Sequence, residues 1–594
     1  MSASTPTAKK ENEDECMANV HWVKQWAVTG LGMFSNAYTI LAVGNIAPIL
    51  RESDPACWDP TSPANGCSKF LRDSVHFSVF VGIVTGMVIG GYFGDKLGRR
   101  RGLIGSALVM LIGSLLIITS NGATLQAQYT WYVVALGIFG LGVGAEYPLM
   151  AVASAEKAEH ERLALIAAAA AAESTTPLAR HKRGQEVSLS FSMQGCGNWT
   201  NTLVILLLLV MVGQTGTDYD AQKLTYVWRL QYCFGTLVLV GLLYYRYTHV
   251  KESEIWLAQQ AKTTAENKVS EGGEGVTATK QDGLFSWWTP ELKLFFKLYW
   301  PRMIGTGGGW FVWDMNFYGN RIFQAEFIKL FVPNASIFEV LKWTFVNSTI
   351  AYVGYFVAAS TLDSPWMGRR RMQLMGFGML FACFTIGALF WTQLVDGSTH
   401  LTLQLLYYTT TFFQQWGPNA TTYIFPSEVY PTQKRAIGHG LSGACGKLGA
   451  LTATILFTMI DSRTRFYLCG ACGIVGFALT YFFLPEVMSM PLLENDSFWD
   501  SCRALLPCNA DKRIVLVTSP PPAVVIGKSD PALVVNEAAG SPNGGRKMSK
   551  SFASSGGVAT AGITAATTDH RFMDHVSIFE RKVNHFNETV RHCV

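Results

Sequence analysis

Charge is the scarce ingredient of this chain. Only 15% of its 594 residues are Asp, Glu, Lys or Arg, against roughly 25% in soluble domains. The net charge of +5 is small and dispersed, which argues against nucleic acid as a partner. No glycine-rich phosphate loop or nucleotide-binding domain is recognisable, so a pump driven directly by nucleotide hydrolysis is not expected. Nothing calls for a metal, a cofactor or enzymatic chemistry. The first apolar run follows a polar stretch, unlike a short cleaved signal peptide.

What is present is apolar and grouped. Hydrophobic residues make up 49% of the chain and mean hydropathy is +0.21. They fall into runs of about 20, the length a helix needs to cross a bilayer of about 30 Å. Twelve such runs lie near 25–50, 75–94, 102–121, 130–154, 187–213, 225–249, 301–326, 338–361, 373–395, 399–427, 435–460 and 464–485. The expectation is an all-α membrane protein with twelve transmembrane helices in two six-helix bundles, residues 25–249 and 291–486. Around them lie a polar tail (1–24), an alanine-rich insertion (156–186), a Lys/Glu/Gly/Thr-rich linker (250–290) and a largely disordered tail (487–594).

Arginine and lysine follow the second, eighth and tenth spans and precede the fifth, which puts those loops and both termini in the cytoplasm. The opposite loop holds CWDPTSPANGC, Cys57 to Cys67; it suits an external disulfide and suits two free thiols as well. Asn334-Ala-Ser is a glycosylation acceptor on that side. In the last tail, RKMSKSFASS (546–555) sets serines beside bases, a possible kinase substrate. The chain ends RHCV, without a retention address, so the plasma membrane is the expected location.

A motif recurs in both halves. Asp95 precedes Gly98-Arg99-Arg100 after the second span, and Asp363 precedes Gly368-Arg369-Arg370 after the eighth. Two related bundles moving about a central site, as in many secondary transporters, would place these turns where ion pairs break and reform. Polar residues inside the spans mark that site. Glu146 in GLGVGAEYPLM and Asp314 in WFVWDMNFY are buried acids, each placed in a bilayer at roughly 3 kcal/mol on insertion scales. Trp310, Asp314 and Tyr318 fall at i, i+4 and i+8, on one helix face. Gln194, Asn419 after a Gly-Pro break, and Lys447 are further polar groups on apolar helices. A lone Gln or Asn also serves simply to tie helices together, and Lys447 can neutralise an acid or attract an anion.

Three stretches, GLGVGAEYPLMAVASAE, WFVWDMNFY and WGPNATTYIFPSEVYPTQKRAIGHGLSGACGKLGA, resemble the phosphate:proton symporter family of the major facilitator superfamily, with similarity over about 25–486. The resemblance implies a phosphate cage of Tyr147, Gln194, Trp310, Asp314, Tyr318 and Asn419. It implies proton handling by Glu146 and Asp314, which would face each other across a cavity, and a basic group, Lys447, near the pathway. Two stretches depart from the family: Glu146 stands where an aspartate is usual, and FSNAYTI puts Asn36 and Thr39 where the first span carries two acids. Neither Asn nor Thr titrates near neutral pH, which shifts coupling towards Glu146 and Asp314. The expected function is import of inorganic phosphate with protons by alternating access. The alternatives are transport of a glycerophosphodiester or other organic ion, and a phosphate receptor.

Overall fold

The computed structural model describes residues 6–58, 66–171, 183–271, 289–332, 335–395, 400–488 and 492–503, and no β-strand occurs among them. The first half contains α1 (Pro6–Ser53), α2 (Lys69–Leu97), α3 (Arg99–Ile118), α4 (Leu125–Ala171), α5 (Arg183–Met211) and α6 (Ala221–His249), followed by α7 (Glu254–Glu271). In the second half, α8 (Pro290–Met303) runs through a π-turn, Ile304–Gly308, into α9 (Gly309–Ile322). Next come α10 (Ile337–Thr361) and α11 (Gly368–Leu389). Then α12 (His400–Gln414) runs through a second π-turn, Gln415–Asn419, into α13 (Ala420–Val429). The chain continues with α14 (Arg435–Leu456), α15 (Ser462–Phe483) and the short α16 (Leu492–Arg503).

Among the described residues, α1 to α6, α11 and α15 are long and apolar enough to cross a membrane. The other rods of the second half are broken by π-turns or carry the polar groups described below. Large apolar side chains such as Ile112, Leu115, Leu237, Val353 and Phe482 point outwards. That arrangement suits hydrocarbon, since the backbone polar groups are already satisfied within the helices. Close approach inside the first bundle is set by small residues: a Cβ at Gly82, Gly86 or Gly90 of α2 would lie 2.1–2.4 Å from the α4 backbone.

The halves meet in a symmetric way. α14 packs on α2 across the boundary, and α5 packs on α10. The fifth rod of each half thus leans on the second rod of the other. Each such boundary begins beside a Gly-Arg-Arg turn.

Three segments differ from the reading of composition. The polar N-terminal stretch is helical from Pro6, and residues 254–271 of the linker form α7. The start of the C-terminal tail forms α16. Lys, Glu, Gln and Ala propagate a helix readily once packing has supplied the nucleus. Cys57 and Cys67 are joined in a disulfide, and Arg72 donates to both their carbonyls, at 3.3 and 3.0 Å. Asn334 and RKMSKSFASS lie outside the described residues.

Candidate functional site

The site is built on two interrupted helices. The glycine-rich π-turn at 304–308 leads into α9, whose Trp310, Asp314 and Tyr318 are all buried. Across from them, α14 is a run of small residues, GHGLSGACGKLGA. A Cβ at Gly446 would meet Trp310 Cδ1 at 2.4 Å, and one at Gly449 would meet the α9 backbone at Phe311 O at 2.1 Å. This closeness brings Lys447 onto α9. Its Nζ donates to Asp314 Oδ2 at 2.8 Å and to Tyr318 Oη at 3.1 Å. The ammonium also lies 4.3 Å from the centre of the Tyr318 ring and 5.3 Å from that of Tyr147.

The facing wall comes from both halves. Gln194 of α5 donates to Tyr147 Oη of α4 at 2.6 Å and accepts from Tyr355 Oη of α10 at 2.7 Å. Asn419 donates to Tyr355 Oη at 2.7 Å and to Gln194 Oε1 at 3.3 Å. Asn419 reaches inwards because the helix breaks before it: Trp416 and Gly417 leave helical geometry ahead of Pro418. The carbonyls released there are taken up by Thr421 on Gly417 O, 2.9 Å, and Thr422 on Pro418 O, 2.7 Å. Hydroxyls commonly re-satisfy a broken membrane helix in this way.

Tyr147, Gln194, Trp310, Asp314, Tyr318, Asn419 and Lys447 therefore converge. Tyr355 also belongs to the group and was not singled out from sequence. In AYVGYFVAAS it is indistinguishable from Tyr352, and only the packing of α10 on α5 turns it inwards.

Glu146 is placed differently. It accepts from Ser106 Oγ at 2.8 Å and is ion-paired with Arg246 through both carboxylate oxygens. The pair sits against Gly32 of α1, where a Cβ would strike both side chains. The expected opposition of Glu146 and Asp314 across one cavity is thus not what the structure contains. Glu146 turns into the first bundle because a guanidinium on α6 is available there, while its neighbour Tyr147 turns towards Gln194.

At the arginine end, each Gly-Arg-Arg turn organises one charge cluster. In the first, Arg99 bridges Asp95 at 3.0 Å and Glu156 at 2.8 Å, and Arg435 from the other half reaches Glu156 at 3.4 Å. Asp95 accepts from the Ala436 and Ile437 amides at the start of α14, at 3.3 and 2.9 Å, where a helix dipole favours an anion. In the second cluster, Arg369 bridges Asp363 and Glu428, and Arg183 from the other half reaches Glu428 at 2.8 Å. Asp363 accepts from the Gln185 amide at the start of α5, at 2.7 Å. Glu252 caps the Arg99 and Arg100 amides as Glu486 caps those of Arg369 and Arg370. Gly98 and Gly368 have φ of +97° and +74°, and a Cβ on either would strike that capping glutamate. Glu156, Glu252 and Glu486 were not singled out from sequence.

α16 lies beside these clusters. Asp496 accepts from Thr432 N at 2.6 Å, Trp499 donates to Gln433 at 3.0 Å, and Arg503 pairs with Glu291 at 2.8 Å. Burial opposes the charge of Glu291, yet Lys434 and Arg503 hold its carboxyl below the usual range.

At the disulfide end a cavity opens between the halves. Its lining includes Asn45, His76, Asn198, Tyr318, Arg321 and Gln324. Tyr318 forms its floor and is shared with the Asp314–Lys447 group.

The family described as "Sugar (and other) transporter" matches residues 26–499. "Probable inorganic phosphate transporter 1-8" of Arabidopsis thaliana is 26% identical over 538 residues, covering 82% of this chain and 94% of its own. "Inorganic phosphate transporter 1-6" of Oryza sativa subsp. japonica is 27% identical over 517 residues, covering 79% and 91%. Among solved structures, the major facilitator superfamily proton:xylose symporter XylE superposes with a TM-score of 0.58 at 20% identity, over 80% of this chain and 98% of that one. A partially occluded inward open form of XylE from E. coli gives 0.53 at 21% identity, over 78% and 97%. With its helices arranged in the major facilitator fold and the family match spanning 26–499, the chain belongs to the sugar (and other) transporter family and is a multi-pass membrane transporter.

Proposed function

We propose that this protein imports inorganic phosphate together with protons, by alternating access, and leaves its substrate chemically unchanged. One observation carries the reading: a buried lysine held by an aspartate and a tyrosine, Lys447–Asp314–Tyr318, faces a wall of amide and phenol donors from both halves. The names of the plant proteins similar to this chain support phosphate as the anion.

The chemistry follows from donor counting. A carboxylate only accepts hydrogen bonds, whereas its protonated form also donates one. While ionised, Asp314 occupies Lys447 and repels an anion. Protonation frees the ammonium and turns Asp314 from acceptor to donor. Phosphate then meets Lys447, Asp314, Trp310, Tyr318, Gln194, Asn419 and Tyr147 as donors. Release of the proton on the opposite face returns Lys447 to Asp314 and expels the anion. Two of the donors, Tyr147 and Gln194, belong to the first half, so a ligand held there bridges the parts that move.

The charge clusters at the arginine end act as the cytoplasmic gate, tied while the disulfide-end cavity is open. A disulfide at Cys57–Cys67 suits an oxidising exterior and supports placement in the plasma membrane.

Radiolabelled phosphate uptake into cells lacking their own phosphate transporters tests the proposal. Uptake should be saturable and stimulated by an inward proton gradient, and Asp314→Asn should abolish it at unchanged surface expression. Normal uptake by that variant would overturn the mechanism. Uptake of a phosphate ester without phosphate points to a different solute, and saturable binding without uptake to a receptor.

A further inference from the structure

We infer that Arg321 and Gln324 form a second, outer oxyanion site at the mouth of the cavity, where phosphate is captured before it reaches Lys447. The inference rests on the reading of the chain as a phosphate importer. Arg321 continues the stripe of Trp310, Asp314 and Tyr318, falling at i+7 from Asp314, about 10 Å farther along the axis at 1.5 Å per residue. It lines the cavity that has Tyr318 as its floor.

The surroundings of Arg321 suit an anion. The guanidinium donates to Gln324 Oε1 at 3.1 Å and lies over the Phe317 ring at 5.5 Å. No carboxylate among the described residues forms an ion pair with it. Its electrostatic neighbours are the phenols of Tyr355 and Tyr407. Every other arginine within the described bundle core discussed above (Arg99, Arg183, Arg246, Arg369, Arg435) is ion-paired. Arg321 is partly buried, and a guanidinium without a carboxylate partner on a cavity wall points to a ligand that supplies the negative charge.

Gln324 gives the independent second sign. It is only 5% exposed and lines the same cavity, and its Nε2 is buried with no hydrogen-bond partner. With its Oε1 occupied by Arg321, the amide leaves a donor unused beside the guanidinium's remaining N–H groups. A planar fork and an adjacent amide donor match a tetrahedral oxyanion, which arginine binds bidentately. His76 presents a further buried and unpartnered nitrogen, Nδ1, on the opposite wall. Tyr318 belongs to both sites: it lines the cavity with Arg321 and accepts a hydrogen bond from Lys447.

The test is phosphate transport in proteoliposomes, measured separately from each face. Arg321→Gln should raise the KM for phosphate at the disulfide face about tenfold, with maximal rate within about twofold and KM at the opposite face unchanged. Arg321→Lys should raise the same outer KM by a smaller factor, about threefold, because the charge remains while the fork is lost. Gln324→Leu should raise the same outer KM about threefold. Unchanged outer KM in Arg321→Gln and Gln324→Leu overturns the outer site, as does an equal rise at both faces. Should Arg321→Gln fail to reconstitute, the Arg321→Lys and Gln324→Leu pair decides by the same criteria. Absence of phosphate transport by the wild-type protein sinks the phosphate reading itself, and the outer site with it, and is seen before any variant is made.

Discussion

Two of the buried acid–base pairs, one in each half, are built for different duties. Glu146–Arg246 lies wholly inside the first bundle, closed around by Ser106 and Gly32. Asp314–Lys447 lies between α9 and α14, sharing Tyr318 with the cavity and facing residues of the other half. Arginine cannot shed its proton in a protein, whereas a buried lysine can. A guanidinium therefore suits a permanent clasp, and an ammonium suits a place where charge is exchanged. Two carboxylates that looked alike as residues in apolar runs are separated by the cation each one meets.

That contrast can be broken at either pair. Glu146→Ala should give the largest loss of stability, about 3–5 kcal/mol, because it strands Arg246 in the first bundle. Thermal unfolding in detergent measures it, and Glu146→Leu combined with Arg246→Leu should recover most of the loss. Equal instability of the single and double variants would show that the pair is not a clasp. Asp314→Asn should cost less, about 1–3 kcal/mol, since Lys447 keeps its hydrogen bond to Tyr318, yet uptake should vanish. Lys447→Arg sharpens the point: we expect a folded protein with uptake reduced at least about tenfold, checked against surface expression.

The two Gly-Arg-Arg turns offer a smaller effect. Gly98→Ala and Gly368→Ala each place a Cβ at positive φ against a capping glutamate, and each should cost about 1–2 kcal/mol. Similar losses of stability and uptake in both would confirm that the clusters act as equivalents despite their different Asp-to-Gly spacing. Smallest is a pH effect on α16. Glu291 is held in its charged form in the folded state, so its contribution is present above the ordinary carboxylate pKa. It is lost as pH falls through the lower folded value. Hydrogen exchange of residues 492–503 should rise there; an α16 equally protected at that pH would remove Glu291 from its attachment.

Much of the site was legible because buried charge and helical spacing are local properties. Trp310, Asp314 and Tyr318 announce a shared face by spacing, and the Gly-Pro break flags Asn419. Tyr355, Arg246 and Glu156 were not legible. A tyrosine in an apolar helix and an arginine or glutamate near a span end look like packing and anchoring residues until their partners, 161, 100 and 57 positions away, are known. Asn36 illustrates the same limit: its amide is fully buried with no partner, a state that composition cannot reveal.

The sequence by itself determined the solvent, the helical class and the repeated turns. Hydrophobic run length and charge scarcity follow from the bilayer, and those signals lie in contiguous residues. Tertiary structure alone decided the pairings. Whether Glu146 faced Asp314 or Arg246, and whether Lys447 neutralised an acid or stood free, depended on which helix faces met. In a medium that cannot solvate a lone charge, the nearest available partner settles what each charged residue does.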